Sequence, residues 1–226
     1  RDNLVSVSAT PVDCDGKSIA KAISWSASVQ AYNSKFLVKI SVPHDTVLSL
    51  YKLSITCGSD THNAKKNIAI LPNTWNSKDA TYMPNEDDRV AYVQKTDGYI
   101  WREGNGDKKE KKAWTYAQFE TSAVQVAVCD VVGSLPFSER SDVNILRAAS
   151  AKVNSNDDNG ILYGRWSGSY SDVKGAKSPT YWSGSQQIID RYFNTRTPVR
   201  YGQCWVFAGV LNTITRALGY PCRPVT

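Results

Sequence analysis

Cys204 sits in the segment "VRYGQCWVFAGVLNTITRALGY" (199–220), just ahead of a long apolar run. Val206, Phe207, Val210, Leu211, Ile214 and Leu218 recur there at helical spacing, which predicts a buried helix starting near Gln203. Gly219 fits its C-terminal stop, and Pro221 follows just beyond. Gly202 leaves room for a tight turn before it. Cys204 then falls in the first turn, where unpaired backbone N–H groups and the helix dipole favour an anion. A thiolate is such an anion, and helix N-termini favour it over the thiol. The same N–H groups could serve as an oxyanion hole for acyl transfer. Position alone leaves two readings open, a nucleophile and a structural buried cysteine.

A thiolate nucleophile needs a base and a group that orients the base. The chain has two histidines, His44 in "VPHDT" and His62 in "SDTHNAKK". Both read as surface residues of turns in the first third, so a nucleophile is present without an evident base. The other cysteines do not start helices. Cys129 reads as core, Cys57 ends a strand, Cys14 sits in the loop "VDCDGK" and Cys222 follows "GYP". Five cysteines without CxxC spacing argue against a disulfide scaffold or a zinc site. Free thiols suit a reducing compartment, but this count does not exclude secretion.

The segment "AKVNSNDDNG" (151–160) offers many oxygens in a short space. Asn, Asp and Gly favour a turn. The same oxygens could hold Ca²⁺, which takes carboxylate, amide and backbone ligands. An EF-hand fails, because Arg165 stands where its bidentate Glu belongs.

The elements that must position these residues can be read in outline. "ISWSASVQ" alternates with Ile23, Trp25, Ala27 and Val29 on one face, and "FLVKISV" with Phe36, Val38, Ile40 and Val42. "VLSLYKLSIT" starts in phase at Leu48 and Leu50, then shifts to Leu53 and Ile55, as a bulge would require. About four half-buried strands suggest part of a sandwich. After "LPNTW" (71–75) the texture changes. "RVAYVQ" and "GYIWRE" read as strands, and "TSAVQVAVCDVV" as a buried helix. "SDVNILRAASAKV" predicts a helix capped by Ser141 or Asp142, with Val143, Leu146 and Ala149 or Ser150 on one side. "SQQIIDRYF" is a shorter amphipathic helix. The division expected is residues 1–72 and 73–226.

Composition narrows the class. With 226 residues, 41% of them hydrophobic, the chain can bury a substantial core. The net charge of +6 is spread along it, and the one dense cluster, "DKKEKK" (107–112), reads as a solvated loop rather than a nucleic-acid patch. No apolar run approaches the length of a membrane span. The opening "RDNLVSVSATPVD" is no signal peptide, so localisation stays open between cytoplasmic and secreted.

"RYGQCWVFAGVLNTITRALGYPCRPVT" resembles the active-site segment of the animal transglutaminases, especially the clotting-factor and invertebrate members. "ILPNTW" is similar to that family's junction between sandwich and catalytic core, and "YAQFE" to its GQFE element. "VNSNDDNGILYGRWSGSY" and "SPTYWSGSQQIIDRYF" match two further core segments, so the likeness spans about residues 68–226. The resemblance implies an α+β chain, a partial immunoglobulin-like β-sandwich followed by part of a papain-like cysteine-nucleophile core. It implies a Cys, His, Asp triad with Cys204 as nucleophile and with His and Asp beyond Thr226, so that this is an internal piece of a longer protein. It places Trp182 as the donor of an indole N–H to the oxyanion. It assigns a bound Ca²⁺ to the backbone oxygen of Ala151 and to oxygens of Asn154, Asn156 and Asp158. The implied activity is a calcium-dependent protein-glutamine γ-glutamyltransferase. It joins glutamine and lysine side chains of protein substrates, or takes primary amines, with no organic cofactor and no nucleic acid. A homodimer is compatible with it. A catalytically inactive structural homologue and a papain-like cysteine protease are the alternatives.

Overall fold

The computed structural model describes residues 5–33, 35–104 and 108–225. The chain is a mixture of helix and antiparallel sheet and divides into two compact units. One comprises residues 1–71 with 136–140, the other 72–135 with 141–226.

The first unit is built on β1 (Val5–Val12), β2 (Ile23–Tyr32), β3 (Lys35–Ser41), β4 (Ser49–Cys57), β5 (Asp60–Asn63) and β6 (Ile68–Ile70). They form one sheet in the order β3-β2-β1-β4-β5, with β6 also on β4 and every pairing antiparallel. Val7, Ala9, Trp25, Tyr51 and Leu53 make its core. The Trp25 and Tyr51 rings lie 5.2 Å apart. On β2 and β3 the expected alternation buries only the middle, since Ile23, Val29, Phe36 and Val42 are exposed. The expected bulge in β4 is absent. Its register against β1 runs unbroken from Val5 opposite Cys57 to Val12 opposite Leu50. Ser49, Tyr51 and Leu53 carry one continuous inward phase, and Leu48 precedes the strand. Polar-looking Ser49 and Tyr51 hid that phase. Ser49 is buried because its hydroxyl accepts a 2.7 Å bond from Arg140 Nη1. The Tyr51 hydroxyl donates to the Val47 carbonyl at 2.7 Å.

Burial, partly offset by the Arg140 guanidinium, pushes the Tyr51 phenol from 10.0 up to about 12. The folded chain therefore keeps a proton that the unfolded chain releases above about pH 10. This contribution to stability is complete below that pH and is lost as pH rises through about 12. Urea midpoints measured at about pH 9 and about pH 11 should fall less for Tyr51→Phe than for the parent chain. Equal falls in the two proteins would contradict this.

In the second unit "RVAYVQ" is helical, not a strand. The Asn85 side chain accepts from the N–H groups of Asp87 (2.8 Å) and Asp88 (3.3 Å) and caps α1 (Glu86–Arg89). Three acidic residues in that first turn suit the helix dipole. The helix widens into a π turn over Val90–Gln94. β7 (Asp97–Glu103) pairs with β8 (Lys109–Thr115), so most of the "DKKEKK" cluster is strand rather than loop, while Asp107 lies outside the described residues. Arg102 pairs with Glu110 at 2.6 Å and Lys111 Nζ lies 3.7 Å above the Tyr99 ring, which keeps these charges along the hairpin. α2 (Thr121–Gln125) continues through π and 3₁₀ turns to Ser134 and is buried as expected.

α3 (Asp142–Val153) is capped by Ser141, whose hydroxyl accepts from the Asn144 N–H. Its buried stripe is Ile145, Ala149 and Val153. Val143 and Leu146 are exposed, because the neighbouring stripe faces the last helix. α4 (Ser155–Asp158) and β9 (Leu162–Gly164) follow, then α5 (Gln186–Thr195), β10 (Val199–Gly202) and α6 (Cys204–Ala217). β10 runs parallel to β9. α6 is the buried helix predicted, with Val206, Val210, Ile214 and Leu218 fully buried. It closes in a Schellman motif: Tyr220 N–H bonds Thr215 O and Gly219 N–H bonds Arg216 O, with Gly219 at φ 87°.

Cys57, Cys204 and Cys222 are free thiols, and Cys14 and Cys129 are disulfide-bonded. The expectation of unbonded cysteines, with Cys129 as plain core, is thereby corrected.

Candidate functional site

β10 and α6 meet at Gly202 and Gln203, and that turn sets the Cys204 side chain. Gly202 keeps this turn tight, since a Cβ would lie 3.2 Å from the Leu162 side chain and 3.3 Å from that of Phe207, which would have to give by a few tenths of an ångström. Gln203 is the N-cap, in extended conformation, but its side chain makes no capping bond. Its amide instead donates to the Arg165 carbonyl (3.1 Å) and to the Tyr170 hydroxyl (3.0 Å). The Gln203 carbonyl takes the N–H groups of Val206 and Phe207. Among the described residues no acceptor meets the N–H of Cys204 or Trp205. Cys204 is exposed. An exposed thiol thus stands beside two open backbone donors at the head of a 14-residue helix, a geometry suited to nucleophilic attack with oxyanion stabilisation.

Trp182 is 2% exposed, and its indole N–H bonds the Tyr201 carbonyl at 2.9 Å. The indole donor that the resemblance assigns to an oxyanion is thus held by the main chain. The donor is engaged three residues before Cys204, where it fixes the strand that delivers the nucleophile. The sequence does not single out Tyr201 or Tyr170, and it marks Gln203 only as the helix start and Arg165 only as the residue that defeats an EF-hand. A polar Gln directly before the cysteine was the one signal available, because such a residue at a buried helix start must find partners.

Ala151, Asn154, Asn156 and Asp158 lie at the end of α3 and through α4. The Ala151 carbonyl accepts the Asn154 N–H at 3.0 Å. Asn154 Oδ1 takes the Asn156 N–H at 3.0 Å, and its amide donates to Asp157 at 3.0 Å. Asn156 is tied to Gly164 of β9, its Oδ1 accepting the Gly164 N–H at 2.7 Å. The turn is closed at Gly160, where a Cβ would come 2.2 Å from Lys152 O and 2.5 Å from Asn154 O. Carbonyls therefore converge where a side chain cannot enter. Oxygens alone make up the donor set, which suits a hard cation such as Ca²⁺. Asn156 Oδ1 already accepts one bond from β9 and keeps a second lone pair, and its main-chain oxygen adds another ligand. Among the described residues no three His, Cys, Asp or Glu side chains are grouped to hold a metal, so binding here would rest on amide and carbonyl oxygens with the Asp158 carboxylate.

Both histidines belong to the first unit and are exposed, and the second unit contains none. No helix among the described residues is long and apolar enough to cross a membrane.

Comparison with known proteins bears on this site. No family model matches the chain. Annulin of Schistocerca americana is 36% identical over 219 residues, which cover 93% of this chain and 28% of Annulin. The human protein-glutamine gamma-glutamyltransferase 4 is 33% identical over 223 residues, covering 96% of this chain and 32% of that protein. The hemocyte protein-glutamine gamma-glutamyltransferase of Tachypleus tridentatus is 35% identical over 216 residues, covering 89% and 28%. The crystal structure of red sea bream transglutaminase superposes with a TM-score of 0.78 at 28% identity, covering 96% of this chain and 35% of that one. The chain therefore spans about a third of the length of the relatives it matches.

Proposed function

Because this chain belongs to the transglutaminase family over the part it spans, we propose that it carries the nucleophile of a calcium-dependent protein-glutamine γ-glutamyltransferase. The observation that carries this reading is Cys204, an exposed thiol beside two open N–H groups at the start of α6. In the proposal Cys204 Sγ attacks the side-chain amide carbon of a glutamine in a protein substrate. A C–S bond forms and negative charge develops on the amide oxygen, where the Cys204 and Trp205 N–H groups receive it. Collapse breaks the C–N bond, ammonia leaves and a thioester remains. The amine of a lysine, or another primary amine, then attacks the thioester carbon and releases the thiol, leaving an isopeptide. The proton transfers are assigned to a His, oriented by an Asp, following Thr226. Trp182 supports the turn behind the nucleophile. It would add a third oxyanion donor by exchanging the Tyr201 carbonyl for the substrate oxygen.

Ala151, Asn154, Asn156 and Asp158 would hold the calcium, whose charge would tie the end of α3 to the loop before β9. In the same reading the first unit belongs to an immunoglobulin-like sandwich and the second to a papain-like core. The antiparallel sheet and the central helix that begins at the cysteine support it.

The full-length protein, given a glutamine peptide and a lysine peptide in calcium, should yield a product with their summed mass less ammonia. Chelation should suppress it. Cleaved peptides in place of the linked product would favour a thiol protease. Equal yield in chelator would remove calcium from the proposal.

A further inference from the structure

The turn that presents Cys204 is held from one side by a short stretch of chain, residues 165–172. Arg165 N–H bonds the Gly202 carbonyl at 3.1 Å. The Arg165 carbonyl and the Tyr170 hydroxyl take both bonds of the Gln203 amide, as described above. Asp172 closes the stretch. It accepts the Tyr201 hydroxyl at 2.7 Å and pairs with Arg165 Nη1 at 2.8 Å. The Arg165 guanidinium also lies 4.2 Å above the Tyr201 ring, and the Tyr170 ring is 5.9 Å from it. Tyr201 is nearly inaccessible, so its side chain is an anchor rather than a surface group. Burial first, then the bond to Asp172, holds its phenol above the ordinary value, and the hydroxyl stays a donor. The bond from Tyr201, with that from Arg165, keeps the Asp172 carboxylate ionised below its usual range.

This arrangement has a consequence at the helix end. An N-cap side chain can meet first-turn N–H groups only through an acceptor, which in glutamine is the amide oxygen Oε1. Here both donor bonds of the Gln203 amide nitrogen hold the whole amide plane on the 165–172 stretch. Its oxygen makes no capping bond, and the Cys204 and Trp205 N–H groups stay open.

We propose that residues 165–172 are a positioning strap for the nucleophile: Asp172, through Tyr201 and Arg165, fixes the Tyr201–Gln203 turn and holds the Gln203 amide away from the donors beside Cys204. The inference rests on the reading of Cys204 as nucleophile for its catalytic consequence, and on the strap's bonds for its structural one. Arg165, Tyr170 and Asp172 are positioning residues in it and touch no substrate.

The test uses the full-length protein with Asp172→Ala, Asp172→Asn and Tyr201→Phe. Asp172→Ala should speed amide hydrogen exchange in the peptide 199–207 about tenfold or more, with exchange in α3 unchanged. Its kcat for amine transfer should fall about ten- to hundredfold, at a KM for the glutamine substrate within about twofold, as expected for lost alignment. Asp172→Asn keeps an acceptor for Tyr201 and should recover most of that kcat. Should Asp172→Ala raise exchange everywhere, Tyr201→Phe is the deciding variant, with the same local pattern expected. Unchanged exchange at 199–207, or a raised KM at unchanged kcat, overturns the strap. Absence of amine transfer in the parent protein overturns the transferase reading instead, and the exchange measurement still decides the strap.

Discussion

Cys204→Ala in the full-length protein is expected to abolish amine incorporation, a loss on the order of 10⁶-fold in kcat, the scale seen when a covalent nucleophile is removed. Among the described residues no other group is placed to take over. The second unit has no histidine, and the other free thiols stand elsewhere. Cys57 ends β4 in the first unit, and Cys222 follows the Schellman turn, its carbonyl holding Arg216 Nε at 2.9 Å. Neither heads a helix with open N–H groups. The substitution should leave the fold intact. Cys204 is exposed, makes no capping bond, and alanine is a good helix former. Its effect on stability should stay within about 0.5 kcal/mol, as for other surface changes. The measurement is incorporation of a labelled primary amine into a glutamine-bearing protein, with a thermal melt as the control. A folded Cys204→Ala protein that still incorporates amine would remove the cysteine from the chemistry. Cys57→Ala should be silent in the same assay.

How far the sequence reveals this site depends on whether each feature is local. The helix after Cys204 was legible because six apolar residues repeat at one spacing and a glycine ends the run. The turn at 151–160 was legible as an oxygen-rich bend for the same reason. What the Trp182 indole bonds was not. Its acceptor is the main-chain carbonyl of Tyr201, and a carbonyl has no residue type to read. The strap at 165–172 was equally hidden, since Asp172 and Tyr201 meet only when β10 lies beside β9. On the scaffold, "RVAYVQ" has a strand's composition, but the Asn85 cap just upstream outweighs it. In α3 two stripes were available, and tertiary packing against α6 chose Ile145, Ala149 and Val153. In β4 the inward phase ran through Ser49 and Tyr51, whose polar groups are satisfied by Arg140 and the Val47 carbonyl. Apolar pattern alone follows the nearest leucines, so it started one residue out of phase at Leu50 and met the inward phase only at Leu53.

Gly209→Ala is expected to destabilise the second unit, although alanine is the better helix former by about 1 kcal/mol. Gly209 lies in the body of α6, where a Cβ would come 2.4 Å from Trp114 Cε2 and 2.6 Å from its Nε1. The indole cannot easily yield. It is 1% exposed, and its N–H bonds the Ser185 hydroxyl at 2.9 Å. Ser185 in turn donates to the Gly209 carbonyl at 3.0 Å, and its backbone N–H bonds Thr115 O at 2.8 Å. Helix, hairpin end and the start of α5 are thus closed into one ring of contacts around a hydrogen atom. A methyl group there must push the ring off Ser185, leaving a buried N–H unpaired at about 1–3 kcal/mol. Overpacking adds about 1–3 kcal/mol more. Set against the propensity gain, the net loss should be about 1–5 kcal/mol, read as a lower urea midpoint. Gly133→Ala is the control, since a Cβ there meets only Val128 O at 3.7 Å. Trp114→Phe removes the atoms that clash, so Gly209→Ala should cost less in that background, and a double-mutant cycle should show the coupling. A neutral Gly209→Ala would mean that the indole can slide. The ring of contacts would then not fix α6, and the aim of Cys204 would rest on the turn at Gly202 and Gln203 alone.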